Sequence, residues 1–293
     1  MAIWLGLCTS VASAAFPGRD GALLHADLLT DAQQKHATYM RTRSLLSSKE
    51  REWLPCTSVM AFACGSTLTP DVGNSRYSPD GQRIAVALTG AAFGPPGGVG
   101  LLTMSASGPS GYATAATFAA LPGIAAIAWS ADGSRLVAER GGSLVLLTSD
   151  GVQVGPLVPN ATSPDWSSRG QIAFVRDGNI WIVRPGQPPR QLTRSGGASP
   201  SWAPDGRSLA FVRNDHLFSV RRDGKRLRRI TTRVASLPVW SPSGRSLAFV
   251  SNSDLYVVRA DGKKIRRLLN YDPPNQAGFN ASIKALDWRP LPM

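Results

Sequence analysis

Acidic side chains are scarce in this chain. Its 293 residues include only three glutamates, Glu50, Glu52 and Glu139, and 32 Lys and Arg face 19 Asp and Glu, for a formal charge of +13. Eight of the 16 aspartates, Asp20, Asp80, Asp132, Asp150, Asp177, Asp205, Asp223 and Asp261, stand directly before Gly and belong to turns. No local spacing therefore offers the paired carboxylates of acid–base catalysis, although residues from distant segments could still converge. Histidine is equally rare, and His25, His36 and His216 lack metal-ligand spacing. There is no Gly-x-Ser-x-Gly nucleophile elbow and no Gly-x-x-x-x-Gly-Lys phosphate loop. Beyond the first residues no stretch approaches the roughly 20 apolar residues that span a bilayer. Catalysis is the minority reading, and neither a cofactor nor a metal is expected.

Cysteine is limited to Cys8, Cys56 and Cys64. Residues 1–14, MAIWLGLCTSVASA, carry no charged side chain and end in Ala12-Ser13-Ala14, the small-x-small pattern of a signal-peptidase site; a buried first strand is the other reading. Export to the periplasm or the medium is the expectation, and cleavage would remove Cys8. In an oxidising compartment Cys56 and Cys64 are expected to form a disulfide, whereas in the cytoplasm they would be two buried thiols.

Glycine and proline are plentiful at 29 and 22, which suits many short strands joined by turns. The strongest signal is a repeat. WSPSGRSLAFVSNSDLYVVRADG (240–262) echoes WAPDGRSLAFVRNDHLFSVRRDG (202–224) and WSSRGQIAFVRDGNIWIVRPG (166–186), with fainter copies from Trp129 and Tyr77. The aromatic starts lie 52, 37, 36, 38 and 48 residues apart from Tyr77 through Trp129, Trp166, Trp202 and Trp240 to Trp288, enough in each case for four short strands. Recurrence once per repeat argues for packing between neighbours rather than ligand stacking. Trp181, Phe218 and Tyr256 share a third-strand position and read as core. A four-stranded sheet leaves two faces to cover, so successive sheets must stack, and radial stacking gives a propeller.

The pattern W-[SA]-x-[DS]-G, LAFV, [LI]-[YFW]-x-V-R, DG, R-x-[LI] resembles the propeller of TolB-type periplasmic proteins and the blades of prolyl-oligopeptidase-type enzymes. It covers residues 75–290, most strongly 166–268. The fold this implies is an all-β, six-bladed β-propeller of four-stranded blades, closed by pairing of N- and C-terminal strands in one blade. The expected divisions are a composite closing blade of 15–74 and 285–293, then blades at 75–123, 124–162, 163–198, 199–236 and 237–284. ALDWRP (285–290) supplies the inner strand of the closing blade, and three strands follow residue 15, drawn from the region of FPGRDGALLHADLL, ATYMRTRS and GSTLTP. Residues 31–54 within that blade could equally form a helix.

Such a ring presents its first-to-second and third-to-fourth turns, nearly unchanged from copy to copy, on one face. The variable second-to-third loops and inter-blade links lie on the other, where binding residues concentrate. The candidate partner face therefore comprises Arg176, Arg213, Asn214, Asp215, Asn252 and Asp254, with Asp272 and Asn275 in the long link 270–284. A basic flank, Arg228, Arg229, Arg266 and Arg267, belongs to the outer strands. It serves either to discourage edge-to-edge aggregation or to meet anionic envelope polymers or lipid headgroups. The functional expectation is a monomeric binding scaffold of the cell envelope whose partner is an envelope protein or an anionic envelope polymer. No nucleic acid and no transmembrane segment after signal cleavage are expected. The alternative is a propeller lyase or hydrolase acting on an envelope or extracellular polysaccharide.

Overall fold

The computed structural model describes residues 19–30, 36–43, 50–52, 71–89, 100–105, 116–120, 123–269 and 280–291. The expected signal peptide, Cys56, Cys64, Asp272 and Asn275 lie outside the described residues, as does GSTLTP. Among the described residues every regular element is a strand and there is no helix.

Strands β1 (Arg19–Thr30), β2 (His36–Arg43) and β3 (Glu50–Glu52) come first. They are followed by β4 (Asp71–Tyr77), β5 (Arg83–Thr89), β6 (Gly100–Ser105) and β7 (Ala116–Ala120). The next group is β8 (Ile124–Trp129), β9 (Arg135–Arg140), β10 (Ser143–Thr148) and β11 (Gln153–Val158). Then come β12 (Thr162–Trp166), β13 (Ile172–Arg176), β14 (Asn179–Val183) and β15 (Arg190–Gln191). After them run β16 (Ala198–Trp202), β17 (Ser208–Arg213), β18 (His216–Arg221) and β19 (Arg228–Val234). The last are β20 (Ser236–Trp240), β21 (Ser246–Ser251), β22 (Asp254–Arg259), β23 (Arg266–Leu269) and β24 (Asn280–Leu291). Each consecutive group of four from β4 to β23 is one antiparallel sheet, and β24-β1-β2-β3 form another. The four sheets of residues 124–269 are described without a break. Strands β4, β8, β12, β16, β20 and β24 lie against one another in turn, and β24 also lies against β4. This is a ring of four-stranded blades with those strands innermost. The helix entertained for residues 31–54 gives way to β2 and β3: His36–Arg43 pairs residue by residue with β1, and Arg41–Arg43 with Glu50–Glu52.

The repeated residues explain the local geometry. Asp80, Asp132, Asp205, Asp223 and Asp261 each accept the backbone N–H two residues ahead at 2.9–3.1 Å, closing the reversals that the Asp-Gly pairs announce. Second and third strands meet through two-residue corners with left-handed backbone, Gly141-Gly142, Asp177-Gly178, Asn214-Asp215 and Asn252-Ser253, the twist a tight hairpin requires.

The inner-strand tryptophans are each buried against the sheet before their own. Trp202 packs on Ile180 and Ile182, Trp240 on Leu217 and Ile230, Trp166 on Val137 and Leu144, Trp129 on Ala85 and Ala87, and Trp288 on Val250 and Val257. The once-per-repeat aromatics therefore occupy the interfaces between blades. Trp181, Phe218 and Tyr256 are only half-buried and lie under arginines, with Arg176, Arg213 and Arg233 at 5.4, 5.6 and 4.8 Å from the respective ring centroids. These three pack against the core clusters, as expected of them, but stay half-buried at its margin, where the arginines cover their outer ring faces.

Adjacent blades are stitched at the turns. Arg169 Nε donates to Asp205 O at 2.7 Å, Arg190 Nη2 to Arg222 O at 2.6 Å, and Arg228 Nη2 to Ala260 O. Gly262 lies close against the backbone of the neighbouring blade. Its φ is +86°, and a Cβ there would stand 2.7 Å from the Ile230 carbonyl oxygen. Gly262→Ala is expected to lower unfolding free energy by about 2 kcal/mol or more, from left-handed strain plus the clash. Gly178→Ala, with φ +67° and nothing within 4 Å, should lose only about 1 kcal/mol; paired denaturant titrations measure the difference.

Candidate functional site

The residues that converge at the ring centre come from the short stretch before each inner-strand aromatic. Three residues before it stand Asn74, Ala126, Ser163, Ser199 and Leu237, all lining one recess. Ser163, Ser199 and Leu237 have φ of 51°, 48° and 48°, and each precedes a proline, Pro164, Pro200 or Pro238. Both the positive φ and the following proline oppose this conformation. It is held by a bulge at the same place in β12, β16 and β20, where the pairing register with the second strand shifts. The prolines lack an N–H, so that stretch presents fewer donors to the channel. Arg76 and Leu286 complete the lining with the prolines.

The recess holds about 80 Å³, room for a few waters or a small ion and well below the roughly 300–1,000 Å³ of sites for drug-sized ligands. Its lining from β12, β16 and β20 lies near the start of those inner strands, where the second-to-third corners also lie, because Thr162, Ala198 and Ser236 pair with Val175, Val212 and Val250 near the ends of the second strands.

Two buried carboxyls stand beside this recess, one residue before the aromatic. Asp165 Oδ2 accepts the backbone N–H of Trp202 at 2.6 Å, and Asp287 Oδ2 accepts that of Tyr77 at 2.7 Å. Each acid thus holds the inner strand of the next blade. Arg76 occupies the same position in β4, and its Nη1 donates to Leu286 O at 2.9 Å and Ser75 O at 3.3 Å. Burial pushes the Asp165 carboxyl up to about 7, against the opposing charge of Arg76 and the accepted Trp202 N–H, while the charge of Asp287 adds to the rise. Burial pushes Asp287 up to about 6, again opposed by Arg76. The signal that could have found them is the dipeptide Asp-Trp, present as Asp165-Trp166 and Asp287-Trp288; sequence reasoning had no reason to pair positions 122 residues apart. Each clasps a backbone and is shielded, Asp287 at 1% and Asp165 at 9% exposure. Their chemistry is that of interlocking groups able to hold a proton near neutrality.

The sequence-derived candidates fall around the same rim. Asn214, Asp215 and Asn252 are exposed corner residues with φ of 47°, 58° and 49°, so turn geometry alone accounts for Asn and Asp there. Arg176 is half-buried, donates to Pro159 O at 2.7 Å and Asn160 O at 3.3 Å, and covers Phe174 and Trp181. Arg213 covers Phe218. Asp254 accepts from Arg267 at 3.2 Å, linking the rim to the basic flank. The corners are fixed to the following links by Ala161 N to Gly142 O, Gly197 N to Gly178 O and Ala235 N to Asp215 O, at 2.8–2.9 Å. Arg228, Arg229, Arg266 and Arg267 are all exposed, on β19 and β23. Among the described residues no helix is long and apolar enough to cross a membrane.

No protein-family model and no curated protein matches this chain. Solved structures match its fold. A protein assigned as TolB from Agrobacterium tumefaciens is 17% identical with a TM-score of 0.60, over 93% of this chain and 100% of that one. A chain of a nidogen/laminin complex is 10% identical with a TM-score of 0.64, over 90% and 99%. The tricorn protease is 16% identical with a TM-score of 0.56, over 87% of this chain and 27% of the protease. The chain is thus similar to β-propellers, TolB-like among them.

A carboxyl whose folded pKa exceeds its unfolded value stabilises the fold while protonated, and that stabilisation is lost as pH rises from about 4 to about 7 for Asp165. Asp165→Asn keeps an acceptor for Trp202 N–H and removes the titration. Its melting temperature should vary less than the parent's between pH 4 and 7 and lie above it at pH 8. Asp165→Ala leaves that N–H without its acceptor and should cost about 1–3 kcal/mol at either pH.

Proposed function

We propose that this chain is an exported, non-catalytic binding scaffold of the cell envelope, a six-bladed propeller closed by the pairing of β24 with β1. Its partner, an envelope protein, sits on the face that carries the recess, the second-to-third corners and the inter-blade links. The observation that carries this reading is the contrast at the channel mouth. The recess admits only a few waters, whereas the rim around it is wide and fixed by repeated backbone bonds, a surface suited to a macromolecule. The buried Asp165 and Asp287 clasp backbones instead of facing a sugar-sized space, so no observation favours the polysaccharide enzyme. Export rests on residues 1–14 and their small-x-small end. The six four-stranded sheets and the β24–β1 register from Arg19–Leu291 to Thr30–Asn280 support closure.

Closure is tested by deleting residues 280–293. The last sheet loses its inner strand, and the whole domain should unfold cooperatively; a truncated protein that melts at the parental temperature means an open ring. The partner face is tested with Arg213→Ala, Asn214→Gly, Asp215→Gly, Asn252→Gly, Asp254→Ala, Asp272→Ala and Asn275→Ala combined, glycine keeping the left-handed corners. Capture of partner from envelope extract should fall at least tenfold, while the changes at the exposed corners Asn214, Asp215 and Asn252 each cost within about 0.5 kcal/mol. Undiminished capture by a folded variant refutes the assignment of this face.

A further inference from the structure

The end of the molecule opposite the recess carries a second surface. Among the described residues the exposed large hydrophobics are Val152, Val154, Leu227, Val234 and Ile265. Leu227 and Ile265, 47% and 39% exposed, occupy equivalent positions in consecutive sheets, within Lys225-Arg226-Leu227-Arg228-Arg229 and Lys263-Lys264-Ile265-Arg266-Arg267. Each follows a cation with left-handed backbone, Arg226 at φ 55° and Lys264 at φ 53°, so the same unusual turn displays both. The turns adjoin: Arg228 reaches the Ala260 carbonyl, and Gly262 lies against that of Ile230. Arg207 and Arg245 join this end, since their carbonyls accept Arg222 N and Ala260 N at 2.9 Å. The local acids leave the excess of cations standing. Asp223 and Asp261 face Arg221 and Arg259 of their own turns at 3.9 and 3.1 Å, and both carboxyls are held below the usual range, chiefly by the Lys225 and Lys263 backbone N–H groups.

We propose that the β18–β19 and β22–β23 turns dock on an anionic lipid bilayer, with Leu227 and Ile265 entering the headgroup boundary between cations that meet lipid phosphates. Charge alone would suffice to protect a sheet edge or to bind a soluble polyanion, and an exposed Leu or Ile adds nothing to either. A charged surface over an apolar boundary is what an apolar side chain framed by cations matches. Val154 holds the equivalent position in the β8–β11 sheet at 54% exposure without flanking cations, and so serves as an internal control. This surface is independent of the partner face proposed above.

The test is co-sedimentation of the full chain with phosphatidylcholine vesicles, with and without one third phosphatidylglycerol, at about 0.1 M salt, where surface charges act over about 10 Å. Binding should require the anionic lipid. Lys225→Gln, Arg226→Gln, Lys263→Gln and Lys264→Gln together should weaken it about a hundredfold or more. Leu227→Ala with Ile265→Ala should weaken it about tenfold, Val154→Ala should leave it unchanged, and the rim variant with Asp254 retained, so that Arg267 keeps its partner, should bind vesicles like the parent. Leu227→Trp should be quenched by bilayer lipids brominated near the headgroup and unaffected by polyphosphate. Unchanged thermal melting confirms that the variants are folded. Failure to bind anionic vesicles overturns the proposal. So does an Ala pair that binds like the parent, or polyphosphate bound as tightly as vesicles with no dependence on Leu227 and Ile265, which would make this a polyanion surface.

Discussion

The constraint on which this structure depends is that no four-stranded sheet can cover its own faces. Each is covered by the next, and the contact is made by the aromatic residue that ends the inner strand. Trp202 at 0% exposure and Trp240 at 6% rest on the sheets before their own, and burial of so large a side chain supplies much of the interface energy. The same residues carry the hydrogen bonds that set blade against blade. Trp202 and Tyr77 donate their backbone N–H groups to Asp165 and Asp287, and Trp129 Nε1 donates to Arg76 O at 3.1 Å.

Packing and polar clasps together decide what each end of the ring can do. At one end Arg169, Arg190 and Arg228 reach carbonyls of the next blade, so several cations there are structural as well as charged. Their neighbours in the same turns, Lys225, Arg226, Lys263 and Lys264, remain exposed beside Leu227 and Ile265. At the other end the corners are tied to the links, and the recess is kept small by prolines and by strained residues that only the bulged pairing sustains. A rigid rim around a small recess and a basic end with exposed apolar side chains are different surfaces, one suited to shape recognition and the other to charge with shallow insertion.

Sequence by itself determined the repeat unit of this protein. The period of about 37 residues, the Asp-Gly reversals and the alternating apolar runs placed the strands of residues 124–269, because hairpin chemistry and strand period are local properties written in adjacent residues. The fold was therefore legible, and so was the packing role of the once-per-repeat aromatics. ATYMRTRS was legible as a strand only beside an equal helical reading, and residues 50–52 were not legible at all, since ERE lacks strand alternation and becomes a strand by pairing with β2. Only the tertiary structure brought Asp165, Asp287 and Arg76 to one recess, because three separate inner strands supply them. It showed that the loop residues Asn214, Asp215 and Asn252 carry left-handed backbone, and it alone set Leu227 and Ile265 side by side on neighbouring turns. Local chemistry repeats every blade and can be read along the chain, whereas a site at the axis or at one end is assembled across blades, and its members are neighbours only once the sheets have stacked.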